Sequence, residues 1–222
     1  MIELAHVWVQ YQKPHWALSD ISLTIGRGDF CYITGPSGSG KTTLLRTLTR
    51  EVIPTHGQVF VAGKNVGHLP DPRVHLLRRV MGIVFQDFRL LAHKRVFDNV
   101  AIALRVQGIP PRDLKRRVFI ALRMVAMHHR IWDFPSELSY GEQQRVAVAR
   151  AVVNNPTILL ADEPTGNLDP ELASEMMGLF QEINRQGTTV VICTHDRDLI
   201  RRFDGRIVLL HEGKTQRRGG RA

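Results

Sequence analysis

The chain has 222 residues, enough for one domain or one domain with a sizeable insertion. Apolar residues make up 43% and charged residues 23%, a globular balance that excludes a disordered chain. Lys plus Arg total 30 against 21 Asp plus Glu, and the net charge of +9 points to a polyanionic partner: nucleic acid, nucleotide or an anionic membrane face.

No stretch approaches the ~20 apolar residues that a membrane-spanning helix needs. The opening MIELAHVWVQ carries Glu3 and no basic run, so a secretory leader is not expected. Cys31 and Cys193 each sit inside an apolar run, FCYIT and VVICT. That excludes a disulfide scaffold or a cysteine zinc site and suits a reducing cytosol. The histidines are scattered. His128-His129 is the one adjacent pair, and neighbours on a helix do not share a face, so it reads as surface and not as a metal site.

In chain order, IELAHVWV reads as a strand, followed by ISLTI and DFCYITG. KTTLLRTLTRE after Gly40 reads as a helix with Leu44, Leu45 and Leu48 on one face. His56-Gly57 reads as a turn before the strand QVFVAG, and a strand VMGIVFQ follows at 80–86. Then the character changes. VFDNVAIALRVQ, PRDLKRRVFIALRMVAM and GEQQRVAVARAVV all carry helical spacing. Pro110-Pro111 separates the first two. Strands return as TILLADE (157–163), TTVVICTH (188–195) and RIVLLHEG (206–213), with the helix ELASEMMGLFQEINRQG between the first two. Apolar strands alternating with helices imply a parallel sheet buried on both faces. The block at 96–150 reads as an insertion into that sheet. TQRRGGRA reads as a frayed basic tail.

Gly35-Pro36-Ser37-Gly38-Ser39-Gly40-Lys41-Thr42 fits G-x-x-x-x-G-K-[ST] and lies between a strand and a helix, the context that the motif requires. Glycines let the backbone N–H groups point into one concavity, and the next helix adds the positive end of its dipole. Lys41 supplies a full charge to the β- and γ-phosphates, and the Thr42 hydroxyl can ligate Mg²⁺. TILLADE ends in two carboxylates at a strand end, where ligands of parallel sheets sit. Asp162 can hold the Mg²⁺ shell together with Thr42. Glu163 is placed to polarise an attacking water.

With these residues in view, the chain resembles the nucleotide-binding subunits of ATP-binding cassette systems over nearly its whole length. A signature segment stands at Leu138-Ser139-Tyr140-Gly141-Glu142, before the helix QQRVAVARAVV. The family pattern is Leu-Ser-Gly-Gly-Gln/Glu, and Tyr140 replaces its first glycine. The ATP-facing groups would be the Ser139 hydroxyl and backbone N–H groups including Gly141, which survive the change. On its own the segment reads as a Ser139 N-cap with Glu142 at N3, a capping box. Both readings hold together.

The resemblance implies an α/β fold: a phosphate-loop NTPase core with a mostly parallel sheet (about 1–86 and 151–222), an antiparallel β subdomain, and a helical subdomain inserted at about 87–150. Together these form one ATP-binding domain over residues 1–222. It implies ATP bound by Gly35 to Thr43, including Pro36, Ser37, Gly38, Ser39, Gly40, Lys41, Thr42 and Thr43. Gln86 resembles the residue that senses Mg²⁺ and the γ-phosphate, and His195 the switch histidine. Ser139, Gly141 and Glu142 resemble signature contacts, Asp169 resembles part of a loop joining two subunits, and Tyr11 resembles the aromatic that stacks on adenine. Trp8 and Trp16 are nearby alternatives. The metal set would be Thr42, Gln86 and Asp162, with Glu163 and His195 catalytic.

The resemblance also implies a homodimer that drives a separate integral membrane subunit, docked near Gln86 and residues 85–100. Phe85, Phe88, Leu90, Leu91 and Phe97 would form an apolar docking wall. LLRRVMGIVFQDFRLLAHKRVFDNVAIAL is similar to the bacterial cell-division branch of the family. That implies control of septal peptidoglycan hydrolysis from the cytoplasmic face of the inner membrane. ARAVVNNPTILLADEPTGNLD is shared with exporter ATPases of the lipoprotein-releasing and macrolide type, the alternative reading. Binding to nucleic acid is not expected, because the basic residues are spread out and no aromatics interleave with them. Near the chain end, Lys214, Arg217, Arg218 and Arg221 stand against Glu212 alone. That excess suits an anionic leaflet.

Overall fold

A computed structural model describes residues 1–216. The N-terminal part holds β1 (Ile2–Gln12), β2 (His15–Ile25), β3 (Phe30–Thr34), α1 (Lys41–Leu48), β4 (His56–Val61) and β5 (Lys64–Asn65). Next come α2 (Val74–Arg78), β6 (Met81–Val84), and three helices in succession: α3 (Val96–Arg105), α4 (Pro111–Met124) and α5 (Tyr140–Val152). The chain then runs through β7 (Ile158–Asp162), α6 (Pro170–Arg185), β8 (Thr189–Cys193), α7 (Arg197–Arg202), β9 (Arg206–His211) and β10 (Lys214–Gln216).

The apolar strands pair as their composition demands. The six-stranded sheet has the order β10-β9-β3-β8-β7-β6. All its neighbours are parallel except the β10–β9 edge pair. Every residue of β8 is buried, as are the first four of β7, so neither strand shows polar alternation. Alternate side chains feed two cores. Leu159, Ala161, Val190 and Ile192 pack with the helices α3 to α6. Ile158, Leu160, Val191 and Cys193 pack with α1 and the antiparallel sheet β2-β1-β4-β5. Burial pushes the Cys31 thiol up to about 12 and raises that of Cys193 too, so neither is a thiolate at neutral pH.

Tertiary packing changes two local readings. His56 and Gly57 belong to β4 instead of a turn. Gly57 takes φ +83°, and a Cβ there would lie 2.1 Å from the His6 carbonyl oxygen, so a turn residue is used for close approach to β1. Thr215 and Gln216, expected in a frayed tail, pair with Leu210 and Leu209 in β10. Arg217, Arg218 and the rest of that tail lie outside the described residues. Among the described residues no helix is long and apolar enough to cross a membrane.

Candidate functional site

The site lies at the C-terminal ends of the parallel strands. Strand β3 ends at Thr34 and α1 begins at Lys41, so residues 35–40 form the connecting loop. Two glycines there have a steric reason. A Cβ on Gly35 would sit 1.9 Å from the Leu210 carbonyl oxygen, and Gly40 adopts φ +105° with Ala17 O only 2.7 Å from the Cβ position. Gly40 is also the N-cap of α1, with no side-chain cap and no acid in the first turn. The leading N–H groups of α1 therefore have no negative side chain of their own and suit an external anion.

Lys41 is buried and donates from Nζ to the carbonyls of Gly35 (2.8 Å) and Pro36 (3.2 Å). Its third neighbour is Glu163 Oε1 at 3.5 Å. The other oxygen of Glu163, Oε2, lies 3.0 Å from His195 Nδ1. Glu163 follows the last residue of β7, and its N–H donates to Cys193 O at 2.9 Å. It takes φ +45°, an uncommon conformation for a non-glycine that costs on the order of 1–3 kcal/mol and clusters at functional sites. Ser37, Gly38, Gly40, Lys41, Thr42, Thr43, Gln86, Glu163 and His195 line one cavity of about 350 Å³.

Asp162 lies in an adjoining cavity that also touches Thr42 and Gln86. Its Oδ1 is buried without a hydrogen-bond partner, as is the Ser39 hydroxyl oxygen. Burial raises the Asp162 pKa, and the Glu163 charge adds to this; the Thr42 hydroxyl and the Lys41 charge oppose it. A buried carboxylate oxygen without a donor, beside a threonine hydroxyl, is a donor set for a hard cation.

The segment after Gln86 differs from its expected form. Phe88 is buried, and Leu90 and Phe97 pack on the main core, so these three are not a free docking wall. Phe85 is half-buried with the Arg89 guanidinium 3.9 Å from its ring centroid. Phe88 (φ +54°) and Arg89 (φ +49°) are consecutive left-handed residues. Arg150 of α5 holds them by donating to the carbonyls of Phe88 and Arg89. No spacing in the sequence announces that contact.

The remaining candidates stand apart from the phosphate cavity. Ser139 caps α5: its hydroxyl accepts from Glu142 N (3.3 Å), and Glu142 Oε2 accepts from Ser139 N (2.8 Å). The Ser139 N–H holds the Glu142 carboxyl below the usual carboxylate range. A Cβ on Gly141 would press on Leu172 Cδ1 at 3.2 Å. Asp169 is the N-cap of α6, accepting from Glu171 N and Leu172 N. Tyr11 is exposed at the outer end of β1 and does not line the cavity. Ala17, which does line it, follows the exposed Trp16. Nothing about an alanine in a strand marks it in sequence. Tyr140 was visible as a departure from the family pattern, but its partners were not: its hydroxyl lies 2.6 Å from Asn167 Nδ2.

A glycine loop capping a helix at the carboxyl edge of a parallel sheet, faced by a lysine–glutamate–histidine cluster, defines a phosphate-loop nucleoside triphosphatase. The family model described as ABC transporter matches residues 18–166. The chain belongs to that family and is an ATP-binding cassette ATPase. It is 45% identical over 217 residues to the cell division ATP-binding protein FtsE of Streptococcus pneumoniae, covering 98% of this chain and 94% of that protein. It is 48% identical over 218 residues to the cell division ATP-binding protein FtsE of Mycobacterium tuberculosis, covering 98% and 95%. A dimeric post-hydrolysis structure of the ATP-binding cassette MJ0796 bound to ADP and Pi has a TM-score of 0.88 at 35% identity, covering 98% of this chain and 97% of that one.

Proposed function

We propose that this chain is the ATPase of a two-component membrane machine in bacterial cell division, working as a homodimer on an FtsX-like integral membrane subunit at the septum. The observation that carries the catalytic reading is Glu163, held between Lys41 and His195. In the mechanism, γ-phosphate oxygens replace the carbonyl and carboxylate acceptors now around Lys41 Nζ. Glu163, released from that contact, orients and deprotonates a water for in-line attack. His195 donates a hydrogen bond to the γ-phosphate as water adds to it and ADP leaves. Gln86 lines both cavities and reports the state of the γ-phosphate to the adjoining segment. Tyr11 offers its exposed ring to adenine.

Thr42, Asp162 and Gln86 would hold Mg²⁺. Among the described residues no three His, Cys, Asp or Glu side chains gather as a metal site. Mg²⁺ fits this sparse set because it takes one or two carboxylates and fills its shell with phosphate and water. When bound, it neutralises charge on the β- and γ-phosphates.

In the homodimer, Ser139, Gly141 and Glu142 of one copy face the phosphates held by the other, and Asp169 lies near the shared seam. ATP favours the closed pair, and closure moves the membrane partner. That partner docks beside Gln86 and residues 85–100. A groove bordering this segment, lined by Met81, Ile83, Ile102 and Val106 together with Arg78 and Arg79, suits a short amphipathic helix. The outer side of α4 exposes Arg112, Lys115 and Arg116 beside Phe119 and Ile120, a surface that suits an anionic leaflet.

Depletion of the protein tests the division role. Filaments blocked at constriction, with the membrane partner recovered on co-purification, support it. Normal septa with mislocalised lipoproteins would favour the exporter reading.

A further inference from the structure

Tyr140 replaces a glycine of the family pattern, and its contacts are ones that no glycine can make. It is the first residue of α5. Its ring meets the Phe88 ring edge-on, with centroids 4.4 Å apart and planes at 62°. Its hydroxyl accepts a hydrogen bond from Asn167 Nδ2 at 2.6 Å. Phe88 stands two residues after Gln86, and Asn167 two residues before Asp169. One side chain thus touches the Gln86 segment and the Asp169 loop from the head of the signature helix.

The same helix grips the Gln86 segment a second time. Near its other end, Arg150 Nη1 donates to Arg89 O at 2.5 Å, and Nη2 donates to Phe88 O. Between these two holds lie the left-handed residues Phe88 and Arg89. A backbone in that conformation persists only while its surroundings enforce it. Tyr140 lines the adjoining cavity with Thr42, Gln86 and Asp162, but not the cavity that contains Lys41, Glu163 and His195. Its influence on that cavity therefore passes through other residues.

We propose that Tyr140 is a positioning residue that locks the Gln86 segment and the Asp169 loop to the signature helix, so that the three segments move as one body during the ATPase cycle. The proposal rests on the ATPase reading for its kinetic consequence only. Its structural consequence holds without turnover. Tyr140→Phe keeps the ring and removes the link to Asn167. Tyr140→Gly removes both links. Asn167→Ala removes the same link as Tyr140→Phe from the other side.

The test uses the full chain. Hydrogen exchange is read first, without nucleotide. In Tyr140→Phe, exchange over 165–169 should rise about 5-fold or more while 85–89 stays as in the native chain; in Tyr140→Gly both should rise. Turnover is read second. Tyr140→Phe and Asn167→Ala should each lower kcat about 3-fold, and the double variant should be no worse than either, because one interaction is lost once. Affinity for a fluorescent ATP analogue should stay within about two-fold, the mark of a residue that acts through others. Unchanged exchange in both loops would overturn the proposal. So would kcat losses that multiply in the double variant, or analogue affinity that falls in step with kcat. A native chain that hydrolyses no ATP would count against the ATPase reading, and the exchange measurement would still decide the coupling.

Discussion

The N-terminus of α1 and the N-terminus of α5 satisfy their N–H groups in opposite ways. Helix α1 starts at Gly40 with no side-chain cap and no acid in its first turn. Helix α5 starts at Ser139 with a reciprocal cap and its own acid, Glu142. The first is surrounded by its chemistry: Lys41, Glu163 and His195 converge on one cavity. That cavity includes neither Ser139 nor any residue of α5. A helix end that keeps its N–H groups uncapped takes its anion from a ligand. A helix end that is already capped is a stable platform, and the cassette reading has it meet ATP on a second copy.

Substitutions separate these two ends. The largest effect belongs to Lys41→Ala. It removes the one full positive charge in the loop, and ATP affinity should fall on the order of 100-fold. Titration with a fluorescent nucleotide measures this. Retention of native affinity would mean that the uncapped end of α1 binds phosphate without its lysine.

Asp162→Asn should cut hydrolysis strongly and yet stabilise the nucleotide-free chain. Burial raises the Asp162 pKa, so the folded chain favours the protonated form. The associated stability is present at acid pH, below the ordinary carboxylate range. It is lost as pH rises through the raised value. At pH 7 the ionised group is therefore a liability that asparagine removes. The variant should melt higher at pH 7, and the gap should close as pH falls below 4, the region of the ordinary carboxylate value. Melting curves at several pH values check the sign.

Ser139→Ala should have the smallest effect on the single chain. Loss of the cap costs about 1 kcal/mol and lowers the melting temperature by about 2–4 °C. Nucleotide affinity of the separate chain should not change, whereas ATP-driven pairing should weaken. A loss of affinity in the separate chain would show that α5 serves its own phosphate loop.

Much of the first end was legible in sequence, because its chemistry is local. Gly35 to Thr42 are consecutive, and Asp162-Glu163 close a strand whose apolar run is unmistakable. The second end was legible as a cap, since a Ser with Glu three residues on is a short-range pattern. What the sequence does not display is long-range. Phe88 reads in sequence as part of an apolar docking wall, but the Tyr140 ring packs against its own. Nothing in the sequence marks Arg150, which bridges to residues about 60 positions earlier. His56-Gly57 carries turn residues, and it was pairing with β1 that made it strand. Periodicity sees neighbours along an element and is blind to which elements meet.

In the proposed cycle Glu163 activates the attacking water in a site completed by two copies. Light scattering of Glu163→Gln with ATP tests it most directly, with phosphate release followed on the same sample. Removal of a general base should slow hydrolysis about 10²–10⁴-fold, leave ATP bound and hold the chains as a stable dimer that the native protein forms only in passing. Hydrolysis at the native rate, or a variant that binds ATP and stays monomeric, would contradict it.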